Sequence, residues 1–247
     1  MSTDGHQANP GKLEASNLAG TPIRAVILFG SAARGDAGRS SDVDLLLITP
    51  ESHPRHTTMG NLSLSLYSAR ELLKRARKGN LFVCHIVQEG KVIYDESNYF
   101  QRLKDAFALR KSYAHDTRRA CDVGWLIVER GRTLTRQNLV ARRIAWCVRT
   151  ILIARTAERG RPIFSPAALV SEANFPDAEM LIRHRSRTKP ARGAVAALRR
   201  FLIFVGCESP LPPGSDAEAW RTHFANTGNA VGRHLLHAGM STQASYE

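Results

Sequence analysis

The sequence predicts an α+β chain, with a small mixed-sheet domain followed by an all-α helical bundle. Three observations carry this. Short β-rich runs crowd the first hundred residues, among them Ala25 to Phe29, Val43 to Thr49 and the alternating Asn61 to Ser68. From Asn98 onward the alternation is absent, and apolar residues recur at helical spacing. The charge divides the same way: residues 1–98 hold 11 Lys+Arg against 10 Asp+Glu, while residues 99–247 hold 24 against 12. The expected organisation is a flexible tail over 1–20, a sheet domain over 21–97, a helical domain over 98–238 and a second flexible tail over 239–247.

The 247 residues suffice for a proper core, and 43% hydrophobic content is that of a globular chain. No apolar run approaches the roughly 20 residues needed to span a bilayer. Met1 to Lys12 is polar and lacks the apolar centre of a signal peptide, so the expected location is cytoplasmic, with no membrane partner. Cys84, Cys121, Cys147 and Cys207 are widely spaced without a Cys-x-x-Cys pair, and four buried thiols are expected.

In chain order, Ile23 to Phe29 reads as a buried strand and Gly30 to Ser41 as a turn rich in Gly, Ala, Ser and Arg. Val43 to Thr49 is its partner strand, closed by Pro50. Glu51 to Gly60 reads as a polar loop carrying His53 and His56. Asn61 to Ser68 places Leu62, Leu64 and Leu66 on one face, and Ser63, Ser65 and Tyr67 on the other. Ser68 and Glu71 have capping-box spacing, so a helix should run to about Lys78 and stop at Gly79. Leu81 to Val87 suits a short helix or a strand, and Lys91 to Tyr94 a fourth and last strand.

Beyond residue 98, helices are expected around Leu103 to Leu109, around Val123 to Arg130, and over Gln137 to Thr156. Gly160-Arg161-Pro162 breaks that long helix. Further helices are expected over Pro176 to His184, Ala191 to Val205 and Asp216 to His237, the last weakened by Gly228 and Gly232.

The chemistry gathers at Phe29-Gly30-Ser31-Ala32-Ala33-Arg34-Gly35 and at Ser41-Asp42-Val43-Asp44-Leu45. Carboxylates two apart on a strand share a face. Two like charges so placed call for a cation, and oxygen ligands of this kind suit Mg²⁺. Gly30 lets a backbone approach phosphates without a Cβ in the way.

Gly30-Ser31, ten residues, then Asp42-Val43-Asp44 resembles the signature of the nucleotidyltransferase superfamily that includes DNA polymerase β. The fuller run looks most like its minimal prokaryotic members, which join the catalytic domain to helices. The resemblance implies a Mg²⁺-dependent transfer of NMP from an NTP, ATP being expected, to a hydroxyl on RNA, protein or a small molecule. It assigns Asp42 and Asp44 to catalysis and to the metal, and Gly30, Ser31 and Arg34 to the triphosphate. A basic helical domain would draw an RNA or protein acceptor.

The family pattern places a third carboxylate on the following strand, often as the base. Here that strand offers Ser63 and Ser65, and serine is no unassisted base at neutral pH. His85 and Glu89 are alternative bases, though each reads more simply as a core histidine and a turn residue. The competing reading is a catalytically reduced nucleotide- or RNA-binding module, of the kind found in toxin–antitoxin or defence systems. Arg110 and His115 also have the Arg-x4-His spacing of HEPN-type ribonucleases, a pattern that an Arg-rich chain produces readily by chance.

Overall fold

A computed structural model of the chain describes residues 21–38, 41–50, 53–186 and 188–240. The expected tail over 1–20, and residues 241–247 of the second, lie outside them. The chain divides into two compact units, Met1–Arg110 and Lys111–Glu247.

The first unit is built on a five-stranded sheet of order β3-β4-β2-β1-β5, with β1 at Ala25–Phe29, β2 at Val43–Ile48, β3 at Arg55–Met59, β4 at Leu62–Tyr67 and β5 at Lys91–Asp95. β1 runs antiparallel to both β2 and β5, β3 runs antiparallel to β4, and β2 and β4 are parallel. The sheet is therefore mixed, and it has one strand more than the sequence suggested. The extra strand is β3, which occupies the expected polar loop. Gly60, at φ +59°, lets the chain reverse between Met59 and Leu62, which pair.

The connections of this unit follow their local chemistry. A short helix α1 (Gly30–Arg34) opens what read as a plain turn. Helix α2 (Ala69–Arg77) starts where the Ser68 side chain accepts from the Glu71 N–H at 3.2 Å. The Leu81 run resolves as a helix, α3 (Leu81–Glu89), because the Asn80 side chain accepts from the N–H groups of Phe82 and Val83. Helix α4 (Tyr99–Ala106) adds Tyr99, Phe100 and Leu103 to the core that Ala25, Ile27, Phe29, Leu46 and Ile48 present on one face of the sheet. Val26, Leu47, Leu64 and Leu66 are buried on the other face. The alternation read in Asn61 to Ser68 is thus the alternation of β4.

The second unit is helical: α5 (Ala114–Arg130), α6 (Gln137–Glu158), α7 (Pro166–Ala173), α8 (Ala178–Ile182), α9 (Ala194–Phe204), α10 (Ala217–Asn226) and α11 (Ala230–Met240). Their apolar stripes meet in one core that includes Leu126, Val148, Phe201, Trp220 and Phe224. The helix expected over Asp216 to His237 is two helices, broken where Gly228 takes φ +61°. Arg110 and His115 share no helix, because α5 begins at Ala114, so the ribonuclease-like spacing has no helical face to act from.

Cys121 and Cys207, 86 residues apart, are joined in a disulfide, which corrects the expectation of four thiols. Cys84 and Cys147 remain buried thiols. Burial pushes Cys84 up to about 12 and Cys147 higher still, so neither is a nucleophile near neutral pH.

Candidate active site

The Gly-Ser turn and the second carboxylate meet directly. Phe29, the last residue of β1, pairs with Asp44 of β2. The chain then turns at Gly30 with φ +73°, a left-handed conformation that glycine alone adopts freely. A Cβ at Gly30 would stand 2.7 Å from Asp44 Oδ2. Two constraints thus favour glycine here: the left-handed backbone, and the close approach of that carboxylate.

The neighbouring residues hold the arrangement in place. Gly35 closes α1 in a left-handed conformation, its N–H bonded to the Ser31 carbonyl at 3.0 Å. The Ser41 hydroxyl accepts from the Gly38 N–H at 2.9 Å, bracing the approach to Asp42. Asp42, just ahead of β2, and Asp44 within it are both half-buried.

Arg34 and the two alternative bases form one cluster. Glu89 Oε2 accepts from Arg34 Nη1 at 2.5 Å and lies 2.8 Å from His85 Nε2; Arg34 Nε donates to Asp36 at 3.1 Å. The His85 ring stands edge-on to Phe29, centroids 5.4 Å apart. Burial raises the Glu89 carboxyl, but His85 and Arg34 outweigh it and hold Glu89 below the ordinary glutamate range. Burial likewise lowers Arg34, and Asp36 and Glu89 more than reverse this. His85 and Glu89 therefore bind α1 to α3 through Arg34.

Across the parallel β2–β4 pair, Ser63 stands opposite Asp44 and Ser65 opposite Leu46. Both serines are buried, at 6% and 8% exposure. In the β3–β4 pair, Thr58 stands opposite Ser63 and His56 opposite Ser65, and His56 Nδ1 lies 3.3 Å from Ser65 Oγ.

Residues 15–99 match the family model for the polymerase beta nucleotidyltransferase domain. This segment is a nucleotidyltransferase domain of that family. A crystal structure of a nucleotidyltransferase-like protein from Exiguobacterium sibiricum 255-15 is similar at 19% identity. The likeness covers 78% of this chain and 74% of that one, with a TM-score of 0.32. No curated protein matches the chain.

Within the nucleotidyltransferase domain, the structure brings Gly30 against Asp44, with Ser31 next in the chain and Asp42 two residues ahead of Asp44, and sets Arg34 at the far end of α1. Among the described residues, no three His, Cys, Asp or Glu side chains cluster as a complete cation site. Two half-buried carboxylates nevertheless fit Mg²⁺, which is commonly held by one or two carboxylates and completed by substrate phosphates and water. Among the described residues no helix is long and apolar enough to cross a membrane.

The sequence puts His56 in a polar loop, whereas the structure places it on β3, opposite Ser65. The signal was Gly60-Asn61, a two-residue hairpin turn between Met59 and Leu62. Recognising it pairs Arg55–Met59 with β4 and carries His56 to Ser65.

Proposed function

We propose that the chain is a Mg²⁺-dependent nucleotidyltransferase that moves NMP from an NTP, ATP in the simplest case, to an acceptor hydroxyl. The placement of Gly30 against Asp44 is the observation that carries this reading. It joins a backbone open to phosphate oxygens to a carboxylate able to hold their counter-ion. The Gly30 backbone and the Ser31 hydroxyl and N–H orient the outer phosphates. Arg34 Nη2 is the donor assigned to the triphosphate, while Nη1 and Nε hold Glu89 and Asp36. Asp42 and Asp44 hold Mg²⁺, which when bound offsets the charge developing on the phosphate oxygens. The second unit carries 21 basic residues against 11 acidic over 111–247, and a macromolecular acceptor, RNA or protein, suits that excess.

One observation favours a second reading, a nucleotide- or RNA-binding module without turnover: the β4 residue opposite Asp44 is Ser63 rather than an acid. Incubation with each α-labelled NTP, Mg²⁺ and a cell extract separates the two. Label on RNA, protein or a small molecule, lost in Asp42→Ala and Asp44→Ala, supports transfer. Nucleotide binding with no label from any NTP supports the binding module.

A further inference from the structure

The sheet order places β1 on one side of β2 and β4 on the other. The Gly-Ser turn leaves β1, so a triphosphate held there lies on the β1 side of Asp44. Entering and leaving oxygens lie roughly in line in displacement at phosphorus, so the acceptor oxygen enters from the β4 side. On that side Ser63 and Thr58 continue the row that starts at Asp44, and Ser65 and His56 form the next row. Paired residues on adjacent strands, and residues two apart on one strand, face the same way. Asp44, Ser63, Ser65, Thr58 and His56 therefore occupy one face. His85 packs against Phe29, on the β1 side of Asp44 and away from β4, and its Nε2 lies against Glu89.

We propose that a Ser65–His56 relay takes the acceptor's proton, replacing the carboxylate that β4 lacks; this rests on the transfer reading above. His56 sits on the exposed edge strand, yet its Nδ1 lies 3.3 Å from Ser65 Oγ rather than pointing away from the sheet. Strand spacing of about 4.8 Å and about 6.7 Å per two residues set the Cα of Ser65 about 8 Å from that of Asp44. One acceptor hydroxyl fits between two such side chains. The same spacings put the His56 Cα about 12 Å from that of Asp44, which is why the serine must intervene.

In the step, neutral His56 carries its proton on Nε2 and accepts from the Ser65 hydroxyl at Nδ1. The acceptor hydroxyl gives its proton to Ser65 Oγ as Ser65 passes its own to Nδ1. The acceptor oxygen bonds to the α-phosphorus, and the bond from that phosphorus to the bridging oxygen breaks. Its electron pair departs on pyrophosphate, and the imidazolium returns its proton to solvent at the sheet edge.

The test measures label transfer with Mg²⁺ from each α-labelled NTP in turn, ATP first, using a whole-cell extract as the acceptor mixture. It compares wild type, His56→Ala, His56→Gln, Ser65→Ala and Asp44→Ala, each checked by thermal melting. Both His56 variants and Ser65→Ala should slow turnover at least about 100-fold, with the KM for the NTP unchanged. Added imidazole should restore part of the rate to His56→Ala, and none to Ser65→Ala. Wild-type turnover in either folded His56 variant, or no imidazole rescue, would overturn the relay. If only Asp44→Ala is inactive, transfer stands and the relay falls; if wild type transfers no label, both fall.

Discussion

Replacing Gly30 with alanine tests the contact on which the site is built, and Gly35→Ala supplies its control. Both glycines have left-handed backbones, φ +73° and +85°. An L-residue there costs about 1–2 kcal/mol, which lowers the melting temperature of a unit of this size by roughly 5–15 °C. The two sites differ in their surroundings. A Cβ at Gly35 meets nothing within 4 Å, whereas one at Gly30 stands 2.7 Å from Asp44 Oδ2. Carbon–oxygen contacts are comfortable near about 3.3 Å, so the turn or the carboxylate must give by about 0.6 Å. Misplacing a reacting group by 1 Å can cost about 100-fold in rate, and a loss of about 10- to 100-fold is expected in Gly30→Ala. Gly35→Ala should melt earlier by a similar amount yet transfer label near the wild-type rate. The assay pairs thermal melting with label transfer from α-labelled ATP. Equal activity in the two variants would refute the claim that the Gly30–Asp44 approach forms the site.

Two further outcomes follow from the packing. Glu89→Gln should destabilise the first unit by about 1–2 kcal/mol, between an exposed and a fully buried ion pair, since Arg34 and Glu89 side chains are 16% and 14% exposed. The folded Glu89 carboxyl titrates below its ordinary value. Its contribution is therefore complete above about pH 4.5 and fades as pH falls through the lowered value, so denaturant melts of wild type and variant should converge in acid. In the second unit, a Cβ at Gly232 would meet the Phe224 ring at 2.5 Å; Gly232→Ala should cost about 1–3 kcal/mol by overpacking, visible as an earlier melt with nucleotide binding intact.

Much of the site was legible because its geometry is local. Asp42 and Asp44 sit at alternate positions entering an apolar run, so strand periodicity puts them on one face; Phe29-Gly30 ends the preceding run, and the pairing of those two neighbouring strands joins the parts. The Ser68 cap and the alternation of β4 were legible for the same reason. What escaped reading depends on contacts far apart in sequence, or on strands without an apolar face. Arg55–Met59 is an edge strand of largely exposed residues, so no buried alternation marks it. Arg34 meets Glu89 across 55 residues, and Cys121 meets Cys207 across 86, and neither pairing leaves a local trace. The long helix read over Asp216 to His237 failed at Gly228, where a left-handed turn overrides the apolar spacing on either side.

The central claim is that the Gly-Ser turn and the two carboxylates make one nucleotide–metal site. Mn²⁺ binding, followed by electron paramagnetic resonance with and without a non-hydrolysable ATP analogue, tests it most directly. The nucleotide should tighten Mn²⁺ binding to the wild type, and the enhancement should vanish in Asp42→Asn and Asp44→Asn. Nucleotide-enhanced Mn²⁺ binding of equal strength in those variants would contradict it.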